Sequence, residues 1–228
     1  MTAARLRALV VQSAILFVVL GLVLFGAAGT LAWAAGWTFV VTYLVFSVVL
    51  VGWLLRHDPG LLEERMSPLR SGQPAWDRMF VVLLSVLIMV WFALMPLDAE
   101  RLRWSHVPVW LQAAGELVLV AALLLFFLTF RENSYLSPAV RVQRERGHHV
   151  VSSGPYRYVR HPLYSGVTLF TVGTALLLGS WTGLLLGAVI VAMLAWRAVG
   201  EERTLREQLE GYDDYASRVR FRLIPRVW

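Results

Sequence analysis

The chain has 228 residues, 58% of them hydrophobic and 16% charged, with a mean hydropathy of +0.63, a composition outside the range of soluble domains. All 21 basic residues are Arg and there is no Cys, which excludes Schiff-base or P-loop lysine chemistry, disulfides, thiolate nucleophiles and Cys-ligated zinc or iron–sulfur clusters. The net charge of +6 sits on Arg residues that flank apolar runs, so the partner it implies is an anionic lipid surface and not nucleic acid.

In chain order, Arg5 and Arg7 precede an apolar run at 10–32 that imitates a signal peptide but exceeds the length of its apolar region, so it predicts a retained first span. Further runs near 20 residues predict spans at about 37–55, 79–97 and 108–130. Between the second and third, segment 56–78 places Leu61, Leu62, Met66 and Leu69 among charges, the pattern of an interfacial amphipathic helix and a candidate lid. The last apolar stretch, 163–196, has 34 residues, roughly 51 Å as one helix and too long for a hydrocarbon core of about 30 Å. Gly179-Ser180-Trp181-Thr182-Gly183 near its middle therefore predicts a tight hairpin, with Gly173, Ala175, Gly187 and Ala188 letting its arms approach closely. Trp33, Trp37, Trp104, Trp110 and Trp181 read as an interfacial aromatic belt. Glu116 lies about two turns inside the fourth span; an intramembrane carboxylate is a functional suspect, but its small neighbours favour a hydrogen-bonded helix interface.

The fold expected is all-α, a polytopic bundle of about six crossings with a C-terminal hairpin and a cytoplasmic cofactor-binding cap. It is read as one membrane domain, with two N-terminal spans and a loop in 1–78 and a core with its cap in 79–228. With six crossings, 19 Arg fall on the side of both termini and only Arg101 and Arg103 on the other, which predicts cytoplasmic termini.

The chemistry concentrates near the end of the chain. Residues 151–166 read VSSGPYRYVRHPLYSG: Gly154-Pro155 marks a turn and Pro162 suits a helix start. The backbone amides there, with Arg160 and His161, predict a pocket for a carboxylate or phosphate, and Tyr156, Tyr158 and Tyr164 offer aromatic faces to a purine or a cation. A second cluster, Glu201-Glu202-Arg203-Thr204-Leu205-Arg206, continues from the hairpin's second arm and stops near Gly211. Counted from Ser180, His161 lies 19 residues back and Glu201 lies 21 forward, so the hairpin returns the two clusters to one depth. Ordinary alternatives are interfacial anchoring for Arg160 and His161, and a solvated face for the glutamates. Adjacent His148 and His149 read as a solvated loop, with no metal expected.

The run SGPYRYVRHPLYSG, followed about 35 residues later by paired glutamates and then Leu, Gly and two Tyr, resembles the isoprenylcysteine carboxyl methyltransferase family and its bacterial relatives. Phospholipid N-methyltransferases share a similar RHP-Y element and glutamate pair, and the likeness covers roughly 133–225. The resemblance implies S-adenosylmethionine bound on the cytoplasmic side of a bacterial inner membrane by Gly154, Pro155, Tyr156, Arg160, His161, Tyr164, Glu201 and Glu202. It further implies catalytic roles for Glu201, Glu202 and Arg206, the last matched by region and charge to position a substrate carboxylate, and a lipophilic acceptor as partner. Transfer from a sulfonium needs alignment and water exclusion and not a metal, and alignment contributes about 7–11 kcal/mol. An amine acceptor would also need a base such as Glu201 or Glu202. The sequence leaves open carboxylate against amine, an NADPH-dependent reductase resembling sterol reductases, a transporter or scaffold, and the oligomeric state.

Overall fold

The computed structural model describes residues 3–66 and 73–228. Eight α-helices run α1 (Ala3–Ala28), α2 (Ala34–His57), α3 (Pro59–Arg65), α4 (Ala75–Pro96), α5 (Val109–Glu132), α6 (Pro162–Leu177), α7 (Trp181–Gln208) and α8 (Tyr212–Arg218), and no strand occurs among the described residues. Five of them, α1, α2, α4, α5 and α7, are long and apolar enough to cross a membrane. The sixth apolar helix, α6, has only 16 residues, about 24 Å at 1.5 Å per residue. The chain is thus a multi-pass helical membrane protein in which α6 is the short arm of the predicted hairpin, turned at Leu178, Gly179 (φ 82°) and Ser180. Gly179 needs the left-handed region that a side chain disfavours.

The core joins α1, α2, α4, α5, α6 and α7 through Leu24, Phe39, Trp91, Leu119, Ala175 and Ile190. Its closest approach is between α5 and α6, where a Cβ on Gly115 would lie 2.6 Å from the Leu177 nitrogen and one on Gly173 would lie 2.5 Å from the Leu119 nitrogen. Gly173 therefore serves α5 and not the α6–α7 contact expected of it. Gly187 does face α6, 3.1 Å from Thr171, and Trp91 of α4 also reaches it, while Ala188 is exposed. Backbones this close gain dispersion contacts that lipid cannot supply.

Pro96 lacks the N–H that would continue α4, and the chain widens into a π-type turn at Leu97–Arg101. That turn buries Asp98, whose Oδ2 accepts from the hydroxyls of Ser105 (2.7 Å), Ser180 (2.5 Å) and Thr182 (2.7 Å). Ser180 in turn caps α7 by accepting from the Gly183 amide at 2.9 Å. One carboxylate thus pins the hairpin turn at the end of the bundle opposite the charged clusters. Trp37, Trp104, Trp110 and Trp181 are exposed as an aromatic belt requires, but Trp33 is buried in the core against Phe25, because the helix start at Ala34 folds its ring inward over Gly36. Glu116 accepts from the Thr42 hydroxyl at 2.7 Å, a contact between α5 and α2 that agrees with the interface reading.

At the charged end, α3 forms part of the predicted amphipathic segment: Asp58 caps it by accepting from the Leu61 amide at 2.9 Å, and Leu61 and Leu62 are buried. Leu69, named in the same expectation, lies outside the described residues.

Candidate functional site

The hairpin brings the two sequence clusters together. Pro162 opens α6, α7 runs unbroken past the last apolar turn to Gln208, and Glu201 and Glu202 meet Arg160, His161 and Tyr164 across the gap. Glu202, 3% exposed, accepts from Arg160 Nε at 2.8 Å and from Arg222 Nε at 3.2 Å, and lies 3.1 Å from His161 Nε2. A carboxylate with three cationic or polar partners tolerates burial because its charge is compensated, so the solvated reading fails for it. Glu201 accepts from the Tyr164 hydroxyl at 2.9 Å and lies 3.8 Å from His161 Nδ1. The His161 ring stacks on Tyr164 with centroids 5.4 Å apart.

The anion pocket expected at the start of α6 is already filled. The Arg160 and His161 amides donate to the carbonyls of Phe221 and Arg222, both at 2.9 Å, and Arg160 Nη1 donates to the carbonyls of Val219 and Arg220. The chain after α8 and Glu202 thus satisfy the groups that the sequence offered to a ligand. Local spacing could not reveal this because the partners come from some 60 residues later.

Beside this clamp lies a cavity of about 310 Å³. Its polar end is formed by Tyr135, His148, Tyr156, Glu201, Tyr212 and Tyr215, and its apolar end by Leu84, Ile88, Val167, Ile190 and Leu194 of α4, α6 and α7. Of the sequence-expected residues, Tyr156, Arg160, His161, Tyr164 and Glu201 line it. Gly154 and Pro155 shape it from behind: Gly154 (φ 55°) turns the chain where a Cβ would fall 2.4 Å from Glu132, placing Tyr156 inside. Glu202 is set behind Arg160 and His161 and does not line the cavity. Tyr158 is exposed, and Arg206 is an exposed residue tied to Asp213, so the structure brings neither to the cavity. Helical periodicity explains Arg206: five residues beyond Glu201 on α7, it projects from another face.

Sequence reasoning missed Asp77 and Arg197. Asp77, fully buried, accepts from Arg197 Nε at 2.8 Å and from the Val140 amide at 2.8 Å; Arg197 Nη1 reaches the Tyr164 hydroxyl at 3.1 Å. This links the N-terminal part of α4 to Tyr164 and Glu201 through one guanidinium. A charge at the end of an apolar run was the available signal, masked by its agreement with topology. His148 also departs from the solvated-loop reading: it lines the cavity, its ring stacks on Tyr135 at 4.4 Å, and burial, helped by the neighbouring positive charges, lowers its pKa to about 4. Burial likewise raises the Tyr156, Tyr212 and Tyr215 phenols, keeping them protonated donors. The buried Tyr212 hydroxyl has no hydrogen-bond partner among the described residues, an unmet donor and acceptor facing the polar end. No group of three metal-ligating side chains occurs among the described residues.

Fold and site define a class: a multi-pass helical membrane protein with a mainly apolar cavity that also carries polar and charged side chains. Residues 110–210 match the model of the family described as phospholipid methyltransferase. Similar curated proteins are the protein-S-isoprenylcysteine O-methyltransferase B of Arabidopsis thaliana, 34% identical over 86 residues (35% of this chain, 42% of that one), and the protein-S-isoprenylcysteine O-methyltransferase of Schizosaccharomyces pombe, 30% identical over 89 residues (36% of each). That of Rattus norvegicus is 29% identical over 130 residues (53% of this chain, 44% of that one). The chain thus spans less than half the length of the curated relatives it matches. The family-model match contains Tyr156, Arg160, His161, Tyr164, Glu201 and Glu202.

Proposed function

We propose that this protein is an S-adenosylmethionine-dependent membrane methyltransferase acting on a lipophilic acceptor. The observation that carries the reading is one cavity whose polar end holds a carboxylate and tyrosines while its other end is walled by span side chains. Such a cavity receives a charged donor from the aqueous side and an acceptor from the bilayer. The residues present suit the donor: Glu201 offers a carboxylate to a cationic ligand, Tyr156, Tyr212 and Tyr215 offer aromatic faces, and the Tyr212 hydroxyl has no partner among the described residues. When bound, S-adenosylmethionine supplies an electrophilic methyl: a C–O or C–N bond forms to the acceptor, the C–S bond breaks, and its electron pair stays on sulfur.

The protein's part is positioning. Glu202 fixes Arg160 and His161; His161 and Tyr164 hold Glu201; Asp77 and Arg197 brace Tyr164. A carboxylate acceptor needs no base, and for an amine acceptor Glu201 is the cavity-facing group that would take the proton. Arg206 and Glu202 are not assigned chemical steps: the first points elsewhere and the second is consumed by its three partners.

Isothermal titration of the purified protein in detergent with S-adenosylhomocysteine tests the reading. Saturable binding by wild type, weakened at least tenfold in Glu201→Gln with the melting temperature unchanged, is expected. No binding by wild type overturns it, and binding of NADPH in its place would favour a reductase.

A further inference from the structure

A second hollow lies between α4 and α7, on other faces of these helices than those that line the cavity. It is a groove of about 400 Å³ between the first two turns of α4 and the middle of α7, walled by Trp76, Phe80 and Leu83 and by Val189, Met193 and Trp196. Every residue lining it is Ala, Val, Leu, Met, Phe or Trp, so it suits a hydrocarbon chain and offers little to a polar ligand. Trp76 meets Trp196 edge to face with centroids 5.7 Å apart. Its indole lies over Gly200, where a Cβ would fall 2.9 Å from the ring, and so closes the groove toward the charged end of the bundle. The floor is Phe80, 3% exposed, with the Trp196 ring 6.0 Å from its centroid and the Arg197 guanidinium 5.3 Å from it. The groove therefore borders the Asp77–Arg197 pair that braces Tyr164.

The α7 wall of the groove continues past the apolar run and ends in a charge. Val189, Met193, Trp196, Gly200 and Arg203 recur at spacings of four, three, four and three residues, which is one face of a helix. Arg203 is exposed and has no hydrogen-bond or ion-pair partner among the described residues, whereas Arg206 is tied to Asp213. Seven residues beyond Trp196, Arg203 stands roughly 10 Å farther along the helix. Its long stem reaches back toward a headgroup layer roughly 5–8 Å thick. Glu207, next on the same face, lies roughly 16 Å beyond Trp196 and outside that layer. The indole N–H groups of Trp76 and Trp196 also have no partner among the described residues, which leaves two donors at the depth where lipid head and chain meet.

We propose that the α4–α7 groove binds an anionic phospholipid, with one acyl chain lying over Phe80 between the two helices and the headgroup phosphate paired with Arg203. The groove selects the chain and the unpaired guanidinium selects the charge, so a single arginine near the surface gives an anionic head a preference of about fivefold over a zwitterionic one. The lipid bridges α4 and α7, and a ligand held only by the folded form raises its melting temperature. The site stands whatever reaction the cavity supports.

The test is native mass spectrometry of the full chain in detergent, titrated with phosphatidylglycerol and with phosphatidylcholine of the same acyl chains. Wild type is expected to bind the first phosphatidylglycerol about fivefold more tightly, a preference lost in Arg203→Gln and kept in Arg203→Lys. Other arginines face the same layer, so the preference that counts is the part Arg203→Gln removes. Ala192→Trp fills the groove from an exposed position and should lose the tight site for both lipids; Val189→Trp takes its place if that variant does not fold. Phosphatidylglycerol should raise the melting temperature of wild type more than phosphatidylcholine does, and the two should act alike on Arg203→Gln. Equal affinity of wild type for both lipids overturns the proposal and leaves only bulk lipid in the groove. A preference that survives both Arg203→Gln and the groove-filling variant overturns it by placing the anion elsewhere. A species of two chains that Ala192→Trp abolishes would overturn it too, making the groove a contact between copies.

Discussion

The adjacent glutamates 201 and 202 differ in almost everything that matters. Glu202 holds Arg160, Arg222 and His161 in a nearly solvent-free clamp, so Glu202→Gln leaves buried cations short of their anion and should cost about 3–5 kcal/mol, read as a lower melting temperature in detergent. Glu201→Gln should leave the melting temperature within about 0.5 kcal/mol equivalent while ligand binding falls; equal destabilisation by the two substitutions would contradict the division of labour. His148 gives a pH signature. Its folded pKa of about 4 lies below the ordinary value of about 6.5, so the unfolded state binds more protons between those values. The stability contributed by the neutral ring is complete above pH 6.5 and is lost as pH falls toward 4. Melting curves should therefore drop more steeply over that window in wild type than in His148→Gln, and parallel curves would refute the assignment. Each of these distinctions was invisible in the sequence, where EE is a motif and HH a polar loop, because which of two neighbours faces a cavity depends on helix rotation and on segments far away in the chain.

At the level of elements, the helices themselves were legible. The apolar runs, the Gly-Ser turn and Pro162 place α5, α6 and α7 close to where they lie, because lipid demands internally satisfied backbone over a fixed length. What packs against what was not legible: Gly173 pairs with α5 and Trp33 turns inward. Gly173→Ala drives a methyl into the Leu119 backbone at 2.5 Å and should cost about 1–3 kcal/mol, whereas Gly21→Ala on α1, where a Cβ meets nothing within 4 Å, should be neutral or slightly stabilising. Thermal unfolding of the two variants side by side checks this; equal effects would mean that α5 and α6 are less closely apposed than described.

For the whole molecule, the distribution of 19 Arg against two and the collection of the site at the Arg-rich end predict that α8 faces the cytoplasm. The absence of Cys makes single-cysteine labelling straightforward. Arg218→Cys in intact cells should resist a membrane-impermeant maleimide that modifies Arg103→Cys, and the reverse pattern would invert the orientation. Sequence by itself determined the membrane class and the helical hairpin and pointed to the neighbourhood of the candidate site, since hydropathy, charge asymmetry and turn residues act locally and are read one segment at a time. Only the tertiary structure decided that the chain after α8 fills the expected anion pocket, that Asp77 and Arg197 brace Tyr164, and that Arg65 of α3 lines the cavity with no carboxylate partner among the described residues. Those are pairings between segments 20 to more than 100 residues apart, fixed by the requirement that each buried charge find a partner, and no local pattern encodes which partner is left over.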